Sequence, residues 1–516
     1  MAPIHLSTHI TQLFAVIAAA SLLYFVFQTI QTKRRRDAFK KEHDCQTPPF
    51  IPTRDPILGL DLMKENMNHF NNHTFLETLQ KRHRKYGNTF TSLTGGRTDL
   101  ITCEPENIKT FLATNFQHFS IGSDRANHGD AFLGRGIFTS DGSEWQHSRA
   151  MLRPNFVSDQ VRDLESLEVH VQHLIEAIPS DGSEVDLSPL FFKFTIDSAT
   201  EFLFGESTNT LIPHLASLPA AEFAEKFNRS NEQLFRYLIL GPLGGFASKS
   251  QYKKDAKFIH DFVDTYVKKG LNKRPDLLKT DPASSISKPR YLFLDALVTR
   301  TTSAPRIRSE LLNILLAGRD TTASLLSNLF WTLSRRPDIQ RLLRAEIDTL
   351  AGRLPTFADL RDMKYLRACI NESLRLHPVV PSNSRQAVVD TVLPVGGGKD
   401  GKAPIFVKKG TMVNYSVYVM HRRTDLYGTD AGEFVPERWM GEKGLRPGWE
   451  YLPFNGGPRV CLGQSFALTE ASYVAVRLLQ AFGGMESRDA EEWRECITLT
   501  CTSLNGCKVA MREREG

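Results

Sequence analysis

The chain has 516 residues, 41% of them apolar and 24% charged, with a net charge of +6. That composition excludes a disordered chain and a small disulfide-built protein, and so small a charge for the size does not call for nucleic acid. Seven cysteines, an odd number with no CxxC pair, argue against a disulfide framework or zinc ribbon and for a reducing compartment.

Residues 1–32 contain no Asp, Glu, Lys or Arg, and Lys33, Arg34, Arg35 and Arg36 follow at once. Leu13–Ile30 is apolar apart from Ser21, Gln28 and Thr29. As a helix it spans about 27 Å, close to the ~30 Å hydrocarbon core of a bilayer. The basic run beyond it predicts a transmembrane signal anchor over residues 13–31, with a short lumenal N-terminus at 1–12 and the rest of the chain cytosolic. A cleaved signal peptide fits less well, because no basic residue precedes the run and the run continues past Ala18–Ala20. A buried core helix is the plainer alternative. Residues 32–49 read as a basic and Pro-bearing linker. Residues 50–516 show no repeat or low-complexity boundary and read as one large cytosolic domain.

Helical periodicity dominates the remainder. Asp159–Ile178, Arg306–Arg335, Pro337–Leu350, Leu366–Leu376 and Ser465–Phe482 are predicted helices. Thr89–Leu93, Asp99–Thr102, Thr411–Val417 and Lys508–Met511 are predicted strands. The fold class is mainly α with a small β part. The polar stretch Lys273–Arg290 reads as an insertion in a loop.

Four groups of residues along this order carry chemistry. Trp145 and Arg149 stand four apart and project together on a helix; alone, they read as a core aromatic and a solvated charge. Pro305 is a good helix start and Pro337 a good stop, and roughly 48 Å of helix fits between them. Ala317-Gly318-Arg319-Asp320-Thr321-Thr322 lies near its middle. Gly, Asp and Thr are poor helix formers, and the Thr321 hydroxyl can bond the Ala317 carbonyl and bend the helix. A carboxylate beside a hydroxyl suits general-acid proton supply. The alternative, polar residues facing solvent, is opposed by the apolar flanks Leu311–Leu316 and Leu325–Trp331. Glu372 and Arg375, three apart, share a helix face. As a surface pair they contribute about 0–1 kcal/mol, but the interspersed Cys369, Leu374 and Leu376 favour partial burial. Finally, in Phe454-Asn455-Gly456-Gly457-Pro458-Arg459-Val460-Cys461-Leu462-Gly463 a tight turn precedes Cys461 and an apolar helix follows. A thiolate at a helix N-terminus is stabilised by free N–H groups and the helix dipole. Such a turn suits a metal axial ligand, with Gly463 leaving space, and Arg459 can pair with a cofactor carboxylate. A buried structural cysteine is the alternative.

Phe454, Gly457, Arg459, Cys461 and Gly463 resemble the FxxGxRxCxG haem-binding signature of cytochromes P450. Ala317–Thr322 resembles that family's (A/G)Gx(D/E)T(T/S) segment, with Arg319 at the variable position. Glu372 and Arg375 resemble its ExxR pair, Phe434–Arg438 the segment whose arginine completes that charge cluster, and Trp145–Arg149 its WxxxR element. The motifs arrive in family order, and the resemblance covers about residues 50–516. It implies the cytochrome P450 fold behind an N-terminal transmembrane helix, and haem b with Cys461 as the iron ligand. It implies cofactor contacts from Trp145, Arg149, Ala317, Gly318, Arg385, Phe454, Arg459 and Gly463, with Trp145, Arg149 and Arg385 toward the propionates. Asp320 and Thr321 become the catalytic residues, and Glu372, Arg375 and Arg438 a structural cluster. O2 is then the co-substrate. Electrons come from NADPH through a separate NADPH–cytochrome P450 reductase, since the chain carries no flavin or nicotinamide fingerprint. The expected location is the endoplasmic reticulum membrane.

Gly136–Thr139, His147–Pro154, Leu393–Gly398 and Pro56–Asp61 resemble fungal alkane and fatty-acid ω-hydroxylases. That implies a lipophilic substrate oxidised at or near the end of a long aliphatic chain. The group also includes tailoring enzymes of fungal secondary metabolism. An oxygen-independent isomerase or dehydratase and a non-enzymatic haem sensor share the haem motifs, but the intact Asp320–Thr321 pair argues for oxygen activation. Phe132, Leu133, Phe138, Leu312–Leu316 and Val379–Val380 are candidate pocket residues. Gly396–Lys399 lacks the Ser/Thr of a phosphate loop, and His69 and His73 lack a third metal ligand.

Overall fold

A computed structural model describes residues 3–514 apart from 157–162, 213, 241–243, 245–247 and 280–290. The apolar N-terminal run forms one 40-residue helix, α1 (Pro3–Glu42). Lys, Arg and Glu are good helix formers, so the helix does not stop at the basic cluster. The first part of the stretch expected as a linker is therefore helical. The apolar side chains from Leu13 to Ile30 are exposed, and the helix is long and apolar enough to cross a membrane.

The body opens with α2 (Leu60–Asn71) and α3 (Phe75–Tyr86), then the hairpin β1 (Thr89–Thr94) and β2 (Arg97–Thr102), turned at Gly95 and Gly96, both at positive φ. A short β3 (Phe119–Ser120) precedes α4 (Ser123–Leu133), α5 (Gly142–Leu152), α6 (Leu164–Glu176) and β4 (Asp181–Asp186). Next come α7 (Leu187–Phe204), α8 (Leu218–Leu240), α9 (Ser250–Leu277) and the long α10 (Ala304–Leu333). The ExxR-like residues sit on α11 (Lys364–Leu376). After it run β5 (Ser382–Ala387), β6 (Thr391–Gly397), β7 (Ala403–Val407) and β8 (Met412–Ser416). The helix after the cysteine, α12 (Gln464–Ala481), leads to β9 (Phe482–Ser487), β10 (Glu495–Ile497), β11 (Cys501–Ser503) and β12 (Lys508–Glu513). The largest sheet has five strands in the order β1-β2-β8-β5-β3.

The predicted helices and strands are present with ends shifted by a few residues. The helix expected from Asp159 is seen from Leu164, with 159–162 outside the described residues. Part of the expected insertion is helical, since α9 runs through Pro275 to Leu277; residues 280–290 lie outside the described residues. The Gly396–Lys399 run ends β6, against Thr89 and Gln46.

α10 organises the interior. Proline in its first turn costs no hydrogen bond. Ser309–Leu316 and Thr322–Phe330 are buried without interruption. Leu325, Leu326, Leu329 and Phe330 pack with Phe191 and Phe194 of α7 and Val474, Val476, Leu478 and Leu479 of α12. Leu311, Leu312, Leu315 and Leu316 pack with Phe132 of α4, Phe227 of α8 and Leu462. Phe132 is thus a core residue at full burial.

Candidate haem-thiolate site

The cysteine loop is pinned from both sides. Gly457 has φ +67°, and a Cβ there would lie 2.0 Å from the Leu112 carbonyl oxygen, so only glycine fits. The Cys461 N–H donates to the Phe454 carbonyl at 3.0 Å. Arg149 of α5 donates to the Val460 carbonyl at 3.0 Å. Arg459 donates to the Asp141 carboxylate at 2.6 Å and to the Ser140 carbonyl at 3.0 Å. Trp145 is buried against two cations, with the guanidinium carbons of Arg459 and Arg149 at 4.4 and 5.9 Å from its ring centroid.

Cys461 is exposed, and desolvation raises its thiol from the ordinary value, against the Gly463 N–H and the Arg149 charge. A bound metal cation favours the thiolate of such a ligand.

The centre of α10 also borders open space. Ala317, Gly318 and Thr321 are only partly buried where the helix on either side is fully buried. A Cβ added to Gly318 would meet nothing within 4 Å. The Thr321 hydroxyl donates to the Ala317 carbonyl at 2.6 Å, the back-bond expected from the sequence. Asp320 is turned elsewhere. It is 3% exposed, and its carboxylate accepts from Arg319 at 2.6 Å and from Asn231 of α8. Burial raises its pKa, opposed by Arg319.

Four arginines converge near the loop: Arg125 of α4, Arg149, Arg385 of β5 and Arg459. Arg459 is pushed down to about 9 by burial, and Arg385, Arg125 and Arg149 depress it further; Asp141 is the one acid opposing them. Arg125 is pushed down to about 10 by burial and by Arg385. Arg385 is 3% exposed and its Nε has no partner. Its Nη1 donates to the Ser384 carbonyl at 2.7 Å. Several buried cations facing one carboxylate leave a local excess of positive charge. Two added carboxylates offset most of it, so these residues fit a haem with its two propionates. Arg125 belongs to none of the sequence motifs and was not anticipated.

The remaining charge cluster is fully internal. Arg375 makes a bidentate pair with Glu372 at 2.9 and 2.8 Å. It also donates to the carbonyls of His421, Ala431 and Glu433 at 2.7, 2.7 and 2.8 Å. Glu372 further accepts from the Val435 N–H, Arg438 and Trp439 at 3.0, 3.3 and 2.9 Å. Both partners are at 0% exposure, so burial is complete rather than partial. His69 bonds Thr74 and His73 bonds the Glu495 carbonyl, which leaves both as structural side chains. Among the described residues no group of three His, Cys, Asp or Glu is placed to hold a metal ion.

Residues 49–496 match the cytochrome P450 family profile. The chain is 44% identical over 509 residues to the cytochrome P450 monooxygenase himC of Aspergillus japonicus, covering 96% of this chain and 90% of the relative. It is 42% identical over 499 residues to the cytochrome P450 monooxygenase fsdH of Fusarium heterosporum, covering 95% and 86%. To the cytochrome P450 52A12 of Debaryomyces hansenii it is 41% identical over 519 residues, covering 97% and 98%. With these likenesses spanning both the cysteine loop and the helical body, this chain belongs to the cytochrome P450 family of haem b-dependent monooxygenases, which draw their electrons from a reductase partner.

Proposed function

We propose that this membrane-anchored monooxygenase hydroxylates a long aliphatic chain, a fatty acid or alkane, at or near its terminus. In this reading its body (residues 50–516) lies on the cytosolic face of the endoplasmic reticulum, and NADPH–cytochrome P450 reductase supplies its electrons. When bound, haem supplies the dioxygen and one-electron chemistry that side chains lack, and a thiolate on its iron favours O–O cleavage. Cys461 would hold its iron. Arg125, Arg149, Arg385 and Arg459, with Trp145 against two of them, would hold the propionates. Gly318 and Ala317 would leave room for the group, Gly463 adds no side chain beside Cys461, and Phe454 fixes the loop through its carbonyl. Thr321 holds a hydroxyl at the open centre of α10, and Asp320 is the acid from which its proton is replenished after the carboxylate turns from Arg319 and Asn231. Glu372, Arg375 and Arg438 hold the segment leading to the loop.

The observation that carries the site is the cluster of four arginines, opposed by Asp141 alone, beside Cys461. The substrate class is supported by the resemblance of Pro56–Asp61, Gly136–Thr139 and Leu393–Gly398 to alkane and fatty-acid hydroxylases. A second reading, a tailoring step in fungal secondary metabolism, is supported by the equal likeness to filamentous-fungal monooxygenases. Products formed by the chain co-expressed with a fungal reductase separate the two. ω-Hydroxylated dodecanoic acid or dodecanol supports the first reading; no turnover of any fatty acid or alkane overturns it. Cys461→Ala is expected to lose both turnover and the haem-thiolate absorption band of the reduced, CO-treated protein.

A further inference from the structure

A polar side chain is buried on α10 just before its centre. Asn313, at 0% exposure, precedes Ala317 by one turn, about 6 Å along the axis. Its Nδ2 donates to the Ser309 carbonyl at 2.8 Å and to the Leu133 carbonyl, at the end of α4, at 3.0 Å. Its Oδ1 accepts the Phe138 N–H at 3.0 Å. One amide thus holds both ends of the loop 133–138. A buried amide is costly unless it is bonded, so these three bonds fix loop and helix against each other.

The loop is shaped to this seat. Gly134 has φ +65°, and a Cβ there would lie 2.2 Å from the Ser309 Oγ. A Cβ at Gly136 would lie 2.3 Å from the Asn313 Nδ2, which its own bonds prevent from moving aside. Within the loop the Thr139 hydroxyl donates to the Gly134 carbonyl at 2.5 Å and accepts the Gly136 N–H at 2.9 Å. The Ser140 hydroxyl donates to the Gly136 carbonyl at 2.6 Å. Beyond it Arg459 of the cysteine loop donates to the Ser140 carbonyl at 3.0 Å.

This frame leaves the Phe138 ring outside the core. Phe138 is 39% exposed, between Ile137 at 9% and Thr139 at 1%. Its backbone is seated on α10 one turn from Ala317, and two residues later the chain is held by Arg459. The ring therefore borders the space between the centre of α10 and the cysteine loop. A primary C–H bond is stronger than the secondary bonds beside it. Oxidation at a chain end consequently depends on walls that keep the neighbouring methylenes off the reacting position, and a wall displaced by about 1 Å loses that control.

The geometry points to Asn313 as a positioning residue. Through the Phe138 backbone it fixes the ring that decides whether the terminal carbon of an aliphatic chain or its neighbours are oxidised. This rests on the aliphatic reading of the substrate. The test is the alcohol profile that the full chain, with a fungal reductase, makes from dodecanoic acid and dodecane, read beside amide hydrogen exchange over residues 134–140. In Asn313→Leu the ratio of terminal to subterminal alcohol should fall several-fold and exchange over 134–140 should rise about tenfold, with the absorption band of the reduced, CO-treated protein retained. Phe138→Ala should lower the same ratio, and Asn313→Leu added to it should lower it no further, because both act through one ring. An unchanged ratio, or a double variant whose effects add, overturns the positioning role; unchanged exchange overturns the seat itself. If Asn313→Leu does not retain haem, Thr139→Val, which unties only Gly134 and Gly136 and leaves α10 intact, is held to the same outcomes. An unaltered chain that makes no alcohol from either compound overturns the aliphatic reading, whereas one that makes alcohols in a ratio indifferent to these variants overturns the role of Asn313 alone.

Discussion

Glu470 of α12 is buried between three helices, accepting from Ser198 of α7 at 2.9 Å, with Thr322 of α10 as a further donor. Burial pushes its carboxyl up to about 7. The folded protein therefore keeps this proton at pH values where the unfolded chain has lost it. The associated stability is full below the ordinary Glu pKa of 4.5 and is lost as pH rises through about 7. At 1.36 kcal/mol per pKa unit that loss is about 3 kcal/mol at most. Glu470→Gln should flatten the fall in Tm between about pH 5 and 8; an unchanged slope refutes it. Glu495, also pushed up to about 7 by burial, leaves a residual slope in both proteins. A second prediction concerns the cofactor. Arg125→Ala should lower haem content per chain without loss of fold, read as the ratio of haem to protein absorbance, because it removes one of the cations that lack a carboxylate partner. Neither residue was legible in advance. Glu470 looks like any polar position on a helix. Arg125 acquires its role only because α4 brings it within reach of Arg385.

At the scale of elements, the sequence is informative where a local rule is broken for a reason. The positive φ of Gly457 and the closeness of the Leu112 carbonyl make that glycine irreplaceable. Gly457→Ala should displace the cysteine loop and lower both haem content and Tm; a variant with native haem content refutes the argument. The Glu372–Arg375 spacing was legible as a shared helix face. Its completeness was not, since the carbonyls of His421, Ala431 and Glu433 that satisfy Arg375 come from a segment some 50 residues away. Glu372→Gln leaves a buried guanidinium underpaired and should cost about 3–5 kcal/mol, measured as loss of Tm or of soluble expression. The Asp320 carboxylate shows the same limit. Its neighbour in the motif is Thr321, but its hydrogen-bond partner across the interface is Asn231 on α8.

At the scale of the molecule, α1 and the body act as one piece. Removing residues 1–32 deletes the apolar span but leaves the basic run Lys33–Arg36, with Arg36 hydrogen-bonded to Asp390 at 2.8 and 3.1 Å. The truncated chain should move to the soluble fraction in high salt and keep a salt-sensitive association with anionic vesicles at low salt, because such charge attraction is screened. Salt-resistant retention at the untruncated level would mean that another surface is the main anchor. The sequence by itself determined the haem-thiolate class, the order of the helices and the apolar span, because each depends on residues a few positions apart on one element. The tertiary structure alone decided that the first part of the expected linker is helical, that Arg125 lies beside Arg385 and Arg459, and that Asp320 is held by Asn231 of α8. Those properties arise from desolvation and from charges brought together across hundreds of residues, and no local pattern records them.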